Sequence, residues 1–346
     1  MTKSRLIFDD SRKLDVITLG RVAIDFNPDP QQYYRPLSQV TTYHRYVGGS
    51  PANIAVGLAR LGKAVGFVGK AANDEFGRYV TEYLQSQGVD VTGLTKCAGN
   101  EKTGLAFTEI LSETESSILM YRDRVADMAL DVEDIDEAYI ASAKMLVISG
   151  TSLAAQPSRN AALKALSLAH KNGVTVVFDI DYRPTSWPDL REVPIYYSLV
   201  AQRSNIILGS RDEFNITERL LLQGNEDDGA SARYWFSQNA EMIVIKHGKE
   251  GSNAFLASGE MYRVKPFPVK LLKSFGGGDG YAAALLCGLL EGWALEDALS
   301  RASASAAMLV ASKCCSDDMP TMDALLAFEA EQKQAHGAMV KREDIG

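Results

Sequence analysis

From residue 134 onward the chain repeats one pattern, a short unbroken apolar run followed by a helical one. The apolar runs are MLVIS at 145–149, VTVVFD at 174–179, NIIL at 205–208 and MIVIK at 242–246. Helical patterns over 157–171, 189–201, 211–222 and 229–238 follow them in turn. A strand that faces water on one side alternates apolar and polar residues, whereas one that is apolar throughout is covered on both faces. Such strands, joined by helices, predict an α/β fold: a three-layer αβα sandwich around a mostly parallel central sheet. In that architecture ligands gather beyond the carboxyl ends of the strands. Three of those ends are polar: Asp179-Ile-Asp181-Tyr-Arg183-Pro, Gly209-Ser-Arg-Asp212-Glu213 and Lys246-His-Gly248-Lys-Glu-Gly251.

The amino-terminal part departs from this rhythm. Residues 1–14 read as a polar leader. Residues 15–26 read as one strand, 31–47 as β-rich and aromatic, and 103–111 with 117–121 as a hairpin. Strands within about 15–47 and 95–125 are therefore expected to form a small second sheet. A strand pair at 253–256 and 260–264, helices at 281–291 and 295–312, and a helix after 321 complete a domain over 15–330. A charged tail, 331–346, follows it.

The chemistry concentrates at Lys273-Ser274-Phe-Gly276-Gly277-Gly278-Asp279-Gly280, which runs into the apolar helix Tyr281-AAALLCGLLEG. Consecutive glycines let backbone N–H groups point into one concave site with no Cβ in the way. The helix that starts there adds its unpaired N–H groups and positive dipole end, so an anion, above all a phosphate, is the natural guest. A carboxylate beside such a site repels a resting phosphate. Asp279 then has a purpose if it takes a proton from a hydroxyl about to attack that phosphate. The plain alternative is a glycine turn with a helix-capping Asp. Upstream, Gly48-Gly49-Ser50-Pro-Ala-Asn53 opens a helix in which Ser50 reads as the N-cap and Pro51 as the first helical residue.

These two stretches resemble the signatures of the ribokinase-like (PfkB) sugar kinases. The family's carboxyl-terminal motif reads Asp-Thr-x-Gly-Ala-Gly-Asp. Here Gly276, Gly278 and Asp279 match, Gly277 replaces the alanine, and Lys273, Ser274 and Phe275 take the first three places. Gly48, Gly49 and Asn53 match the amino-terminal Gly-Gly-x-x-x-Asn, and Asn73, Asp74 and Gly77 a Gly-x-Asp-x-x-Gly element. The resemblance implies a ribokinase-like fold with the small sheet as a lid over the sugar, and ATP with Mg²⁺ as partners. It implies that Gly276, Gly277 and Gly278 form the anion hole and Asp279 is the base. Asp25, Gly48, Gly49 and Asn53 would hold the sugar. Lys246, Gly248, Gly251, Ser274, Gly276, Gly278 and Ser303 would line the nucleotide. Gly209 replaces the usual Asn of Asn-x-x-Glu, so a metal role would fall to Asp212 or Glu213.

Narrower similarity, at 20–25, 181–184, 245–252 and 267–276, is to members of bacterial inositol catabolism that phosphorylate the C6 hydroxyl of a deoxy keto sugar acid. An acid needs a cation to read it. Arg21, Arg122 and Arg183 lie at strand ends near the pocket, with Arg122 the first choice and Arg183 the second. Kinases of 2-keto-3-deoxygluconate or fructose, and a non-catalytic sugar or nucleotide sensor on the same fold, are the alternatives. Family members with Asp at position 273 bind a monovalent cation beside the anion hole, and the ammonium of Lys273 would replace it. A homodimer through the lid is also implied.

Charge and cysteine use exclude other classes. The net charge is −8 with no long basic run, which argues against nucleic acid or an anionic membrane as partner. Cys97, Cys287, Cys314 and Cys315 have neither zinc-site nor disulfide-framework spacing, in keeping with a reducing cytoplasm. No early Gly-x-Gly-x-x-Gly opens a βαβ unit, which excludes a dinucleotide-binding oxidoreductase.

Overall fold

A computed structural model describes residues 7–113 and 115–344, so the first six residues of the expected leader lie outside it. The chain opens with β1 (Leu14–Leu19), β2 (Ala23–Pro28), β3 (Tyr43–Gly48), α1 (Ser50–Arg60), β4 (Val65–Ala71), α2 (Glu75–Ser86) and β5 (Asp90–Lys96). The hairpin β6 (Gly104–Ile110) and β7 (Ser116–Tyr121) follows, then α3 (Glu137–Ala141), β8 (Ala143–Ser149), α4 (Ser158–Lys171), β9 (Thr175–Asp179) and α5 (Val193–Ala201). Next come β10 (Ile206–Ser210), α6 (Arg211–Glu218), α7 (Asp228–Phe236), β11 (Met242–Lys246), β12 (Ser252–Leu256) and β13 (Glu260–Val264). The last elements are α8 (Gly277–Leu290), α9 (Leu295–Val310), α10 (Met322–His336) and β14 (Val340–Asp344).

Ten strands form one sheet in the order β14-β13-β12-β11-β10-β9-β8-β1-β4-β5. From β11 to β5 every pairing is parallel, and β12, β13 and β14 join antiparallel. The apolar runs do what their composition demands, because successive side chains point to opposite faces of a strand. Met145 and Val147 of β8 enter one core with α1, α2, α8, α9 and α10. Leu146 and Ile148 enter the other, with α4, α5, α6 and α7. The strands β9, β10 and β11 divide in the same way, so the three-layer sandwich follows from sequence period alone. In the expected tail, Val340–Asp344 pair with β13 and cover its edge.

The stretch 15–26 is not one strand. It breaks at Gly20, whose φ of 149° suits glycine, and a Cβ there would lie 3.0 Å from Pro51 Cγ and 3.3 Å from Ser149 Cβ. Before the break β1 lies in the large sheet; after it β2 enters a four-stranded sheet of order β3-β2-β6-β7. Within this lid β2 and β6 run parallel and the other pairs antiparallel. Of the β-rich stretch 31–47 only the end, from Tyr43, pairs; 3₁₀ turns at Pro30–Gln32 and Leu37–Gln39 occupy much of the rest.

Two helix starts also differ from expectation. Gly49, with φ 99°, is the N-cap of α1, because a Cβ at that position would lie 2.7 Å from the Arg21 carbonyl oxygen. Ser50 therefore stands inside the helix, with its hydroxyl free for other work. Helix α8 starts at Gly277 rather than at 281, capped by left-handed Gly276, which puts Asp279 in its first turn.

Candidate active site

The site is set by how closely α1 and α8 approach. A Cβ on Gly57 would lie 2.8 Å from Ala283 Cβ, so glycine and alanine let the two helices touch backbone to backbone. One turn toward each amino terminus on the same faces stand Asn53 and Asp279. Asn53 Nδ2 donates to Asp279 Oδ2 at 2.7 Å, and Ser50 Oγ lies 2.7 Å from Asp279 Oδ1. Helix α9 closes on the far side of α8, where a Cβ on Gly280 would lie 2.5 Å from Leu309 Cδ1. Asp279 is thus gripped on both oxygens, with part of the carboxylate still open to the cleft. Burial pushes its pKa up, against the two donors that hold its charge.

The glycine loop beside it is an anion site by construction. Gly276 has φ 87°, and a Cβ there would lie 2.5 Å from Cys315 Sγ. Among the described residues no protein acceptor takes the N–H of Gly276, Gly277, Gly278 or Asp279. Lys246 at the end of β11 sends its Nζ over the same turn, 3.3 Å from where a Cβ on Gly278 would stand. These groups converge on one spot of positive potential, and the Asp279 carboxylate borders it.

The opposite wall is rich in acceptors without donors. Asp25 of β2 receives no hydrogen bond among the described residues, and its carboxylate fills the space a Cβ on Gly48 would take, at 2.1 Å. Burial pushes it up to about 6, with Arg21 pulling the other way. Asn53 Oδ1 is buried and unpaired. Acceptors left bare in this way are matched to hydroxyl donors, which is what a sugar presents.

The profile of the pfkB family carbohydrate kinases matches residues 13–322. The chain belongs to that family. It is 56% identical over 335 residues, 97% of this chain and 98% of the relative, to 5-dehydro-2-deoxygluconokinase of Clostridium perfringens. The enzyme of that name from Clostridium beijerinckii is 54% identical over 335 residues, with the same 97% and 98% coverage. Among solved structures, a ribokinase-type protein of Escherichia coli in complex with ATP and Mg²⁺ superposes with a TM-score of 0.81 at 23% identity, over 93% of this chain and 100% of that one.

In the kinase Asn53, Asp25, Lys246 and the glycine loop stand around Asp279, and several of the other expected residues are committed to neighbours. Glu213 closes a capping box, accepting from Ser210 N at 2.7 Å and Tyr182 N at 2.9 Å, while Asp212 is exposed. Among the described residues no group of three or more His, Cys, Asp or Glu side chains could hold a metal by itself. That fits Mg²⁺, which keeps its waters and rides on phosphates with one or two carboxylates at most. Ser303 donates to the Lys265 carbonyl at 3.0 Å, and Ser274 Oγ hydrogen-bonds Ser116 Oγ at the start of the lid strand β7. A Cβ on Gly251 would lie 2.0 Å from the Val264 carbonyl oxygen, so that loop needs its glycine for the backbone.

The three arginines differ in their partners. Arg122 pairs with buried Asp127. Arg183 pairs with Asp181 at 2.8 Å, which raises its pKa, and Asp181 itself sits at φ 38°, outside ordinary L-residue space. Arg21 is 6% exposed, has a buried Nε without a partner, and comes only within 3.6 Å of Asp181 Oδ2. It is the guanidinium with the most left to give. Ser50 and Asp179 were not singled out as site residues from sequence. The signal for Asp179 was available, since a carboxylate that closes an apolar parallel strand sits where ligands collect.

The raised Asp25 makes a stability prediction. Its folded pKa of about 6 exceeds the ordinary carboxylate value, so between about pH 4 and 6 the folded state holds more protons than the unfolded chain and stability falls as pH rises. Asp25→Asn should therefore stabilise the unliganded kinase by about 1–2 kcal/mol above pH 6, allowing for the carboxylate's partial exposure, and by nothing near pH 4. Urea unfolding at the two pH values measures it; an equal effect at both would remove the charge explanation.

Proposed function

We propose that this kinase transfers the γ-phosphoryl group of ATP to the C6 hydroxyl of 5-dehydro-2-deoxygluconate, the sugar acid after which its Clostridium relatives are named. One observation carries the proposal: a cleft-facing Asp279 carboxylate, held by Asn53 and Ser50, adjoins backbone N–H groups that no acceptor among the described residues uses. Ionised Asp279 takes the proton of the C6 hydroxyl. The oxygen attacks the γ-phosphorus as the bond to the bridging oxygen of ADP breaks in line. The N–H groups of Gly276, Gly277 and Gly278, the α8 dipole and Lys246 stabilise the charge that moves onto the phosphoryl oxygens. Mg²⁺ on the phosphates would supply further neutralising charge, with Glu213 and Asp212 beside its waters. Gly248, Gly251, Ser274 and Ser303 line the nucleotide side. Asp25 and Asn53 Oδ1 accept from the sugar hydroxyls, and Gly48 and Gly49 let the chain pass close to them.

The acid function is read by Arg21, with Arg122 and Arg183 completing the field. The three guanidiniums stand together, Arg122 on Asp127 and both Arg21 and Arg183 on Asp181, and a substrate carboxylate is the anion such a cluster reads. Lys273 serves as a built-in cation. It is 1% exposed, donates to the Cys314 carbonyl at 2.5 Å and has its Nζ 3.6 Å from where a Cβ on Gly276 would stand. An ammonium bonded there leaves a monovalent metal ion neither the space nor the carbonyl.

Coupled ADP release against a panel of sugar acids and neutral sugars tests the substrate: turnover is expected with the deoxy keto acid, and equal turnover of fructose would sink the acid assignment. In the same assay Arg21→Met should raise KM for the acid by about 10–100-fold with a smaller change in kcat. Asp279→Asn should keep binding and lose roughly 10²–10⁴ in rate, and near-native activity would refute its role as base. Exchanging Na⁺ for K⁺ should leave the rate within about twofold, where a strong rise would show that Lys273 does not stand in for a cation.

A further inference from the structure

Ser50 stands between two carboxylates with one hydrogen to give. Its Oγ lies 2.9 Å from Asp179 Oδ2 and 2.7 Å from Asp279 Oδ1. A hydroxyl can donate to only one of them. If both acids were ionised, the other contact would set two oxygens with only lone pairs against each other, at a hydroxyl that is itself buried. Both distances together require a second proton in the chain, carried by one of the acids.

The surroundings say which. Asp279 also accepts from Asn53, lies in the first turn of α8 and opens to the cleft, and each of these favours its charged form. Asp179 is 5% exposed at the end of β9. Facing it are the carboxylates of Asp181, Glu213 and Asp279, and against them the ammonium of Lys246 and the guanidinium of Arg183. Burial pushes it up to about 7, with Lys246 opposing and the three acids adding to the rise.

We propose that Asp179 is a positioning residue that keeps a proton and donates it to Ser50 Oγ, so that Ser50 donates to Asp279 and holds it as an ionised, aimed base. The proposal rests on Asp279 being the base. The proton count is simple. The alcohol proton passes to Asp279 and stays there until product leaves, and the Asp179 proton takes no part in the transfer. When Asp179 loses its proton, the Ser50 hydrogen turns toward it. Asp279 then loses a donor, and a second negative charge borders the incoming phosphoryl group. The working form is the protonated one, so activity falls as pH rises through this titration, which belongs to the Asp179–Ser50–Asp279 chain as a unit.

The test is kcat/KM for the sugar acid against pH, with MgATP saturating. The native kinase should lose about tenfold or more between about pH 6.5 and pH 8.5. In Asp179→Asn the amide donates to Ser50 at every pH, so the ratio between those two pH values should shrink to within about twofold. An alkaline fall that persists unchanged in Asp179→Asn overturns the proposal. Ser50→Ala breaks the chain without touching either acid. It should lower kcat about tenfold or more with KM for ATP unchanged, and a native kcat in Ser50→Ala overturns the proposal even if Asp179→Asn does not fold. Asp279→Asn in the same series separates the two claims. If it is inactive while Asp179→Asn keeps the native profile, the positioning role alone fails; if it is fully active, the base assignment fails with it.

Discussion

Everything in the cleft depends on the contact of α1 with α8 at Gly57 and Ala283. Side chains any larger would hold the helix axes further apart, and the bond between Asn53 and Asp279 one turn away would open. The same contact sets two helix amino termini side by side. Their dipoles add near the N–H groups of the glycine loop, so those groups and the Asp279 carboxylate are fixed relative to each other by a single packing decision. Helix α8 can be this close to its neighbours because it is small on several sides. Ala283 meets α1 and Gly280 meets α9, and Tyr281 reaches Ser252 of β12 through its hydroxyl at 2.9 Å.

Around that contact the unliganded protein holds an excess of groups in discomfort. Asp25 and Asp179 are driven up by burial, Asp181 has a left-handed backbone, and Arg21 Nε and Asn53 Oδ1 are buried without partners. Each is a cost to the fold. The acceptors Asp25 and Asn53 Oδ1 suit hydroxyl donors, and the Arg21 Nε donor suits an acceptor.

The layers of the fold are legible in the sequence because burial on both faces forces an unbroken apolar run, and the strands from 143 on appear within a few residues of where the pattern puts them. The glycine loop and Asn53 are legible for a similar reason: backbone geometry restricts which residues can stand there. Side-chain partnerships over long separations are another matter. A serine after two glycines looks the same whether it caps a helix or bridges two acids, and only the φ of Gly49 decides that Ser50 is inside α1. That Asp127 and Asp181 stand against Arg122 and Arg183 is likewise visible only in the fold. The break at Gly20 hides within a run whose composition suits a strand on both sides, since what ends β1 is the approach of Pro51 and Ser149 from elsewhere in the chain.

That break has a mechanical side. Only Gly20, Arg21 and Val22 join the last residue of β1, locked in the middle of the large sheet, to the first residue of β2 in the lid. A joint so short has almost no slack. If the lid tilts against the body, it must bend both here and at Gly49, the single residue between β3 and α1, and the guanidinium at the first joint's centre moves with it. An anion gripped by that group would act as a brake on the tilt.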